Sequence, residues 1–153
     1  MAAGVYSQVY IHLVFSPQRV CPIQNIHHQD RVFKFIAGLL NSMEHKSLAV
    51  NGMHNHIHIF AGWKPSISIS DTVKEVKRAS TNFIKQEGFL TRFNWQEGYG
   101  SFSYSRSQID GVIKYILNQR EHHKGFSFKD EYMKILEDFG IEYNPEYLFD
   151  FYD

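Results

Sequence analysis

Along the first stretch of chain, Val9, Ile11, Leu13 and Phe15 alternate with Gln8, Tyr10 and His12, which predicts a half-buried strand over residues 5–15, ended at Ser16-Pro17. The period then lengthens. Over residues 29–45, Val32, Phe33, Ile36, Leu39, Leu40 and Met43 recur at the spacing of an amphipathic helix. Residues 48–50 and 53–61 read as two strands of a hairpin turning at Asn51-Gly52. Pro65 and residues 66–70 form a loop; Ser70 caps a helix whose first turn carries Asp71, which runs to Gly88 with Val73, Val76, Ser80 and Phe83 as its buried stripe. Residues 99–105 alternate again, as a strand. Ser107 and Asp110 give a capping-box-like start to a helix reaching about His123, with Ile109, Val112, Ile113 and Ile116 inward; a last helix covers residues 129–139 and stops at Gly140.

Strand, helix, strand, strand, helix, strand and two further helices predict an α+β fold. The expectation is a ferredoxin-like or RRM-like antiparallel sheet with helices on one face, the other face left available, and a C-terminal tyrosine-bearing helix. No internal repeat beyond a weak βαβ duplication and no low-complexity linker interrupts it, so residues 1–153 read as one domain.

Composition changes this picture in two places. With 43% hydrophobic residues in 153, disorder is excluded as a description of the whole chain. Sixteen Lys and Arg balance sixteen Asp and Glu, yet residues 1–128 carry 14 and 8 whereas residues 129–153 carry 2 and 8, a body at +6 and an acidic helix and tail at −6. That distribution permits a polyanionic partner without demanding one. A single cysteine, Cys21, rules out an intrachain disulfide and a Cys-based zinc site and suits a reducing compartment. The Met-Ala-Ala-Gly start lacks the basic residues of a signal, and no apolar run approaches the roughly 20 residues of a membrane span, so a cytosolic protein is expected.

Two groups of residues carry chemistry. His54, His56 and His58 fall on one face of a predicted strand, where imidazoles two apart can converge on one ion; an ordinary polar strand face is the alternative. Tyr115 and Gln119 lie one turn apart on a helix flank, where such residues commonly just pack or meet solvent. A phenol hydroxyl is also a nucleophile able to form a covalent intermediate, and an amide oxygen is a ligand able to complete a His-His-oxygen site.

His56-Ile57-His58 resembles the His-hydrophobe-His motif of HUH nucleases, and Tyr115-Ile116-Leu117-Asn118-Gln119 resembles the tyrosine helix of single-tyrosine transposases. Around them stand Tyr10-x-His12-x-x-Phe15, Gly52-Met53-x-Asn55, Val76-Lys77-Arg78-x-Ser80, Trp95-Gln96-x-Gly98-Tyr99, Glu121-His122-His123 and Gly140-Ile141-Glu142-Tyr143. This ordered set is similar to insertion-sequence transposases of the 200/605 group over nearly the whole chain.

The resemblance implies an enzyme that cuts and rejoins single-stranded DNA at hairpin-containing element ends through a 5′-phosphotyrosine. His56 and His58 are then metal ligands, Gln119 the third ligand and Tyr115 the nucleophile. Mg²⁺ or Mn²⁺ suits a site that mixes imidazole with carbonyl oxygen. A homodimer is implied, in which the tyrosine helix serves its own subunit or its partner, as is a bacterial cytosolic location, nucleoid-associated on DNA. Asn55 departs from the family, whose members often carry aspartate there, and His54 is an additional potential ligand.

Phosphate contacts are expected from Lys74, Lys77, Arg78, Lys85 and Arg92, each equally readable as a solvated charge. Tyr6, Tyr10, Trp63, Trp95 and Tyr104 can stack on bases, although most aromatics in such a chain are core. Three other readings compete: a noncatalytic single-stranded nucleic-acid-binding module, a zinc hydrolase built on His54, His56 and His58, and a domesticated relative acting on chromosomal repeat hairpins.

Overall fold

A computed structural model describes residues 3–153; Met1 and Ala2 of the Met-Ala-Ala-Gly start, part of the argument against a signal, lie outside them. Four strands, β1 (Tyr10–Phe15), β2 (Lys46–Met53), β3 (His56–Gly62) and β4 (Gly100–Ser103), form one antiparallel sheet in the order β2-β3-β1-β4. Helices α1 (Ile26–Ser42) and α2 (Ile69–Gln86) connect them in the split βαβ manner. Helices α3 (Ile109–Leu117), α4 (Gln119–His122) and α5 (Phe128–Asp138) follow, with single 3-10 turns at Arg106–Gln108 and Pro145–Tyr147. The chain is thus α+β with the expected order of elements, and no helix among the described residues is long and apolar enough to cross a membrane.

Strand parity divides the sheet into two unlike faces. Ile11, Leu13, Phe15, Ile57 and Ile59 point to one side and pack with Val32, Phe33, Ile36 and Leu40 of α1 and Val73, Val76 and Ile84 of α2. His12, Val14, His56, His58 and Phe60 point to the other. That second face is not available, contrary to the sequence expectation. Val112 and Ile116 of α3 pack on Ala49 and Phe60, while Tyr132 of α5 meets Phe102 with ring centroids 6.5 Å apart. Burying the histidines under two amphipathic helices is what turns a polar strand face into a site.

Several boundaries move for identifiable reasons. Residues 5–9 lie outside the sheet, so β1 begins at Tyr10, where pairing with β3 begins. Asn25 rather than a residue near Gln29 caps α1, its side chain accepting from the backbone N–H of His27 and His28. Ser68, not Ser70, caps α2. The hairpin turns at His54-Asn55, because Asn51 and Gly52 belong to β2, paired with His58 and Ile57. Gly52 serves close approach rather than a turn: a Cβ there would lie 2.2 Å from the His56 carbonyl oxygen.

Candidate active site

The β1–β3 register sets Val14 opposite His58 and His12 opposite Phe60, so His12 and His58 are diagonal neighbours on the same face. Their rings stack with centroids 5.0 Å apart, and His12 Nε2 lies 2.7 Å from His58 Nδ1. His12 Nδ1 reaches the Tyr104 hydroxyl at 3.4 Å. His56, one pleat along β3, stacks on Phe128 at 4.2 Å between centroids.

Tyr115 and Gln119 both lie over this face, on either side of a break in the helix that carries them. Asn51 of the edge strand donates its amide to the carbonyls of Ile116 and Leu117 at 3.0 and 3.2 Å, taking acceptors that a continuous helix would use. Asn118, with φ −98° and ψ 19°, ends α3, and the chain restarts as α4. Gln119 is fully buried against His56, its Oε1 2.9 Å from Nε2. The single helix expected to run to His123 is therefore two, with Tyr115 in α3 and Gln119 opening α4.

One carboxylate joins all of these groups. Glu131 of α5 is 2% exposed and sets Oε1 at 3.3 Å from His56 Nε2, 3.1 Å from His58 Nε2 and 3.0 Å from His123 Nε2. Its Oε2 accepts hydrogen bonds from the Gln119 amide at 2.9 Å and from the Tyr115 hydroxyl, with His122 Nε2 3.5 Å away. Burial lowers His56 to about 4 against the opposing pull of Glu131, so this imidazole is neutral. Burial and the adjacent Glu131 charge raise Tyr115, which rests as a phenol.

The donor set fits a cation. Asn55 Nδ2 donates to the Tyr152 carbonyl at 2.7 Å, which turns Oδ1 toward His56 Nδ1 at 2.8 Å. A carbonyl oxygen accepts only, so Nδ1 carries the proton and Nε2 a lone pair. That lone pair faces the Gln119 oxygen, itself oriented by the Gln119 amide bound to Glu131. Opposed lone pairs in a buried cluster require a positive charge between them. His56 and His58, the two histidines expected to hold a metal, thus converge with Gln119 and, through Glu131, with Tyr115.

Other expected residues stand elsewhere. His54 occupies the turn, with its ring 6.5 Å from that of Tyr152, and does not share the face of His56 and His58; this removes the third ligand of a zinc hydrolase. Lys77 does not extend toward a ligand: Nζ donates to the carbonyls of Gln96 and Gly98 at 2.9 and 2.7 Å beside the Phe15 ring, and burial lowers it to about 8. Arg78 pairs with Glu75 at 2.6 Å. Lys74, Lys85 and Arg92 are exposed, and α2, which carries the first two, packs on the face opposite the histidines. Trp63 and Trp95 are core residues whose indole N–H groups donate to Ile67 O and Ser80 Oγ, each at 2.9 Å, so neither is a base-stacking platform. Tyr6 is 91% exposed.

Glu131, His12 and His123 are the site residues that sequence reasoning missed. Glu131 had a signal: it lies within the apolar stripe Phe128, Tyr132, Ile135, Leu136 of the last helix, where an unpaired carboxylate would be costly. His12 shows itself only when β1 is known to lie beside β3.

Comparison with known proteins accords with this fold. The family model described as Transposase IS200 like matches residues 5–119. A structure described as a transposase from Deinococcus radiodurans R1 is similar at a TM-score of 0.63 and 19% identity, covering 78% of this chain and 96% of that one. A REP-associated tyrosine transposase bound to a REP hairpin is similar at a TM-score of 0.53 and 14% identity, covering 80% and 75%. No curated protein matches. With the model matched across the sheet, the histidine pair and the helices carrying Tyr115 and Gln119, the chain belongs to the family of IS200-like transposases.

Proposed function

We propose that this transposase cleaves and rejoins single-stranded DNA beside hairpins through Tyr115. The observation that carries the reading is the convergence of the Tyr115 hydroxyl with His56 and His58 on one buried carboxylate, all from one chain. Tyr115 Oη bonds to phosphorus, the P–O3′ bond breaks, the phenol proton leaves and the 3′ oxygen takes up a proton. The products are a 5′-phosphotyrosine and a free 3′-OH. A 3′-OH from a second DNA end then attacks the same phosphorus and releases Tyr115, resealing the strand without ATP. His56, His58 and Gln119 would hold Mg²⁺ or Mn²⁺, which supplies polarisation of the phosphate and offsets the developing charge. A free tyrosine near pKa 10 is only about 0.1% ionised at neutral pH, and Tyr115 is held further from ionisation, so its activation depends on that positive charge.

The REP hairpin held by the structural relative supports a hairpin substrate, and it also keeps alive a domesticated protein acting on chromosomal repeat hairpins. The proposal includes a homodimer. A hairpin oligonucleotide labelled on the 3′ side of the cut, incubated with Mg²⁺ or Mn²⁺, should yield an adduct that survives denaturation and disappears in Tyr115→Phe. An adduct retained by Tyr115→Phe overturns the reading, as does its absence from wild type on every element end and chromosomal repeat hairpin tried. Which class reacts separates mobile from domesticated roles.

A further inference from the structure

We propose that Glu131 of α5 is itself a ligand of the divalent cation through Oε1, while its Oε2 holds the Tyr115 hydroxyl, so that the C-terminal helix joins metal and nucleophile. This rests on the reading that the site binds a divalent cation, and it enlarges the set of His56, His58 and Gln119 that the resemblance implies.

Spacing is the first support. Ligand atoms bound about 2.1 Å from one ion lie roughly 3.0–3.4 Å apart at octahedral to tetrahedral angles. Glu131 Oε1 stands 3.3 Å from His56 Nε2 and 3.1 Å from His58 Nε2, and Gln119 Oε1 stands 2.9 Å from His56 Nε2. His56, His58 and Glu131 form one of two groups able to converge on an ion among the described residues, and Glu131 belongs to both.

Hydrogen accounting is the second. His123 Nδ1 meets the Phe126 carbonyl, so Nδ1 carries the proton and Nε2 presents a lone pair to Glu131 Oε1. His56 does the same, its Nδ1–H held by Asn55. His58 can ligate through Nε2 in the tautomer whose Nδ1–H donates to His12 Nε2, a donation that the 2.7 Å contact accommodates. An acceptor-only carboxylate oxygen facing two imidazole lone pairs is a cation's position.

Charge is the third. Two imidazoles and an amide oxygen are neutral, and one carboxylate turns them into a set suited to Mn²⁺-type ions. The same carboxylate fixes the phenol beside the ion through its other oxygen. Because α5 starts at Phe128 under a Ser127 cap and Phe128 stacks on His56, the arm is set by packing rather than by a loop.

Mn²⁺ titration followed by electron paramagnetic resonance tests this without DNA. Wild type should bind; Glu131→Gln should bind at least roughly 10- to 100-fold more weakly, the range seen when even a supporting partner of a ligand is lost. Glu131→Asp, keeping the charge on a shorter arm, should fall between them. Circular dichroism identifies which variants fold, and the affinity is read in those. Binding equal to wild type in a folded Glu131 variant, with His58→Ala deficient, overturns the role of Glu131 and leaves the metal reading intact. Wild type that binds no Mn²⁺ overturns both.

Discussion

His12 sits behind His58, 2.7 Å from its Nδ1, and has Tyr104 on its other side; it is fully buried, and burial together with His58 lowers its pKa well below the ordinary histidine value. Its contact is with the His58 imidazole, which it is placed to orient. Replacing it by Phe keeps ring volume and removes the partner, so His12→Phe should weaken Mn²⁺ binding about 10- to 100-fold in the same titration while leaving the circular dichroism spectrum unchanged. Asn55 acts similarly on His56, and its amide explains the departure from aspartate: Nδ2 donates to Tyr152 O, which a carboxylate would repel. Asn55→Asp should cost about 1–3 kcal/mol in urea unfolding, and an unchanged midpoint would refute that role for the amide. The pH dependence follows from burial. His12, His45 and His56 all have lowered pKa values in the folded chain, so the unfolded chain takes up protons first as pH falls through about 6.5. Stability is therefore complete above that pH and lost progressively toward His56's value of about 4. Metal-free protein should show a melting temperature that declines from pH 7 to pH 5.

At the scale of elements, the periodicities of two and 3.6 were enough to find all four strands and the order of the helices, because side-chain alternation is a local property. They misjudged ends and breaks. Nothing in Ile109 to His123 marks a helix break, since the cause is Asn51, distant in sequence and adjacent in space. The Asn51-Gly52 pair looked like a turn because that dipeptide favours one; here both belong to β2, and Gly52 lets the hairpin strand pass the His56 carbonyl. Gly52→Ala should therefore destabilise the protein by about 1–3 kcal/mol or more and impair Mn²⁺ binding, since the displaced residue is His56 itself. Chemical denaturation and the metal titration measure the two effects separately.

Across the whole molecule, the segregation of charge has a structural reading. Glu131 of the acidic end is buried against His56 and His58, and Asp150 pairs with Arg19 at 2.7 Å, so the end is built into the body rather than trailing from it. Lys77 is engaged internally, which leaves Lys74, Arg78, Lys85 and Arg92 as the exposed members of the basic set, Arg78 paired with Glu75 at the surface. Hairpin binding should accordingly show a modest salt slope: Lys85→Ala and Arg92→Ala should each reduce it by about 1, whereas Lys77→Met should lower the melting temperature with the slope unchanged. Fluorescence anisotropy against salt distinguishes these outcomes. By itself the sequence determined the element order, the apolar stripes and the presence of His56, His58, Tyr115 and Gln119, since each depends on residue type and short spacing. Only the tertiary structure decided that His54 stands apart, that Lys77 is internal, and that His12, His123 and Glu131 join the site. His12 and Glu131 meet His58 across 46 and 73 residues of chain, through strand pairing and helix packing that no local pattern encodes.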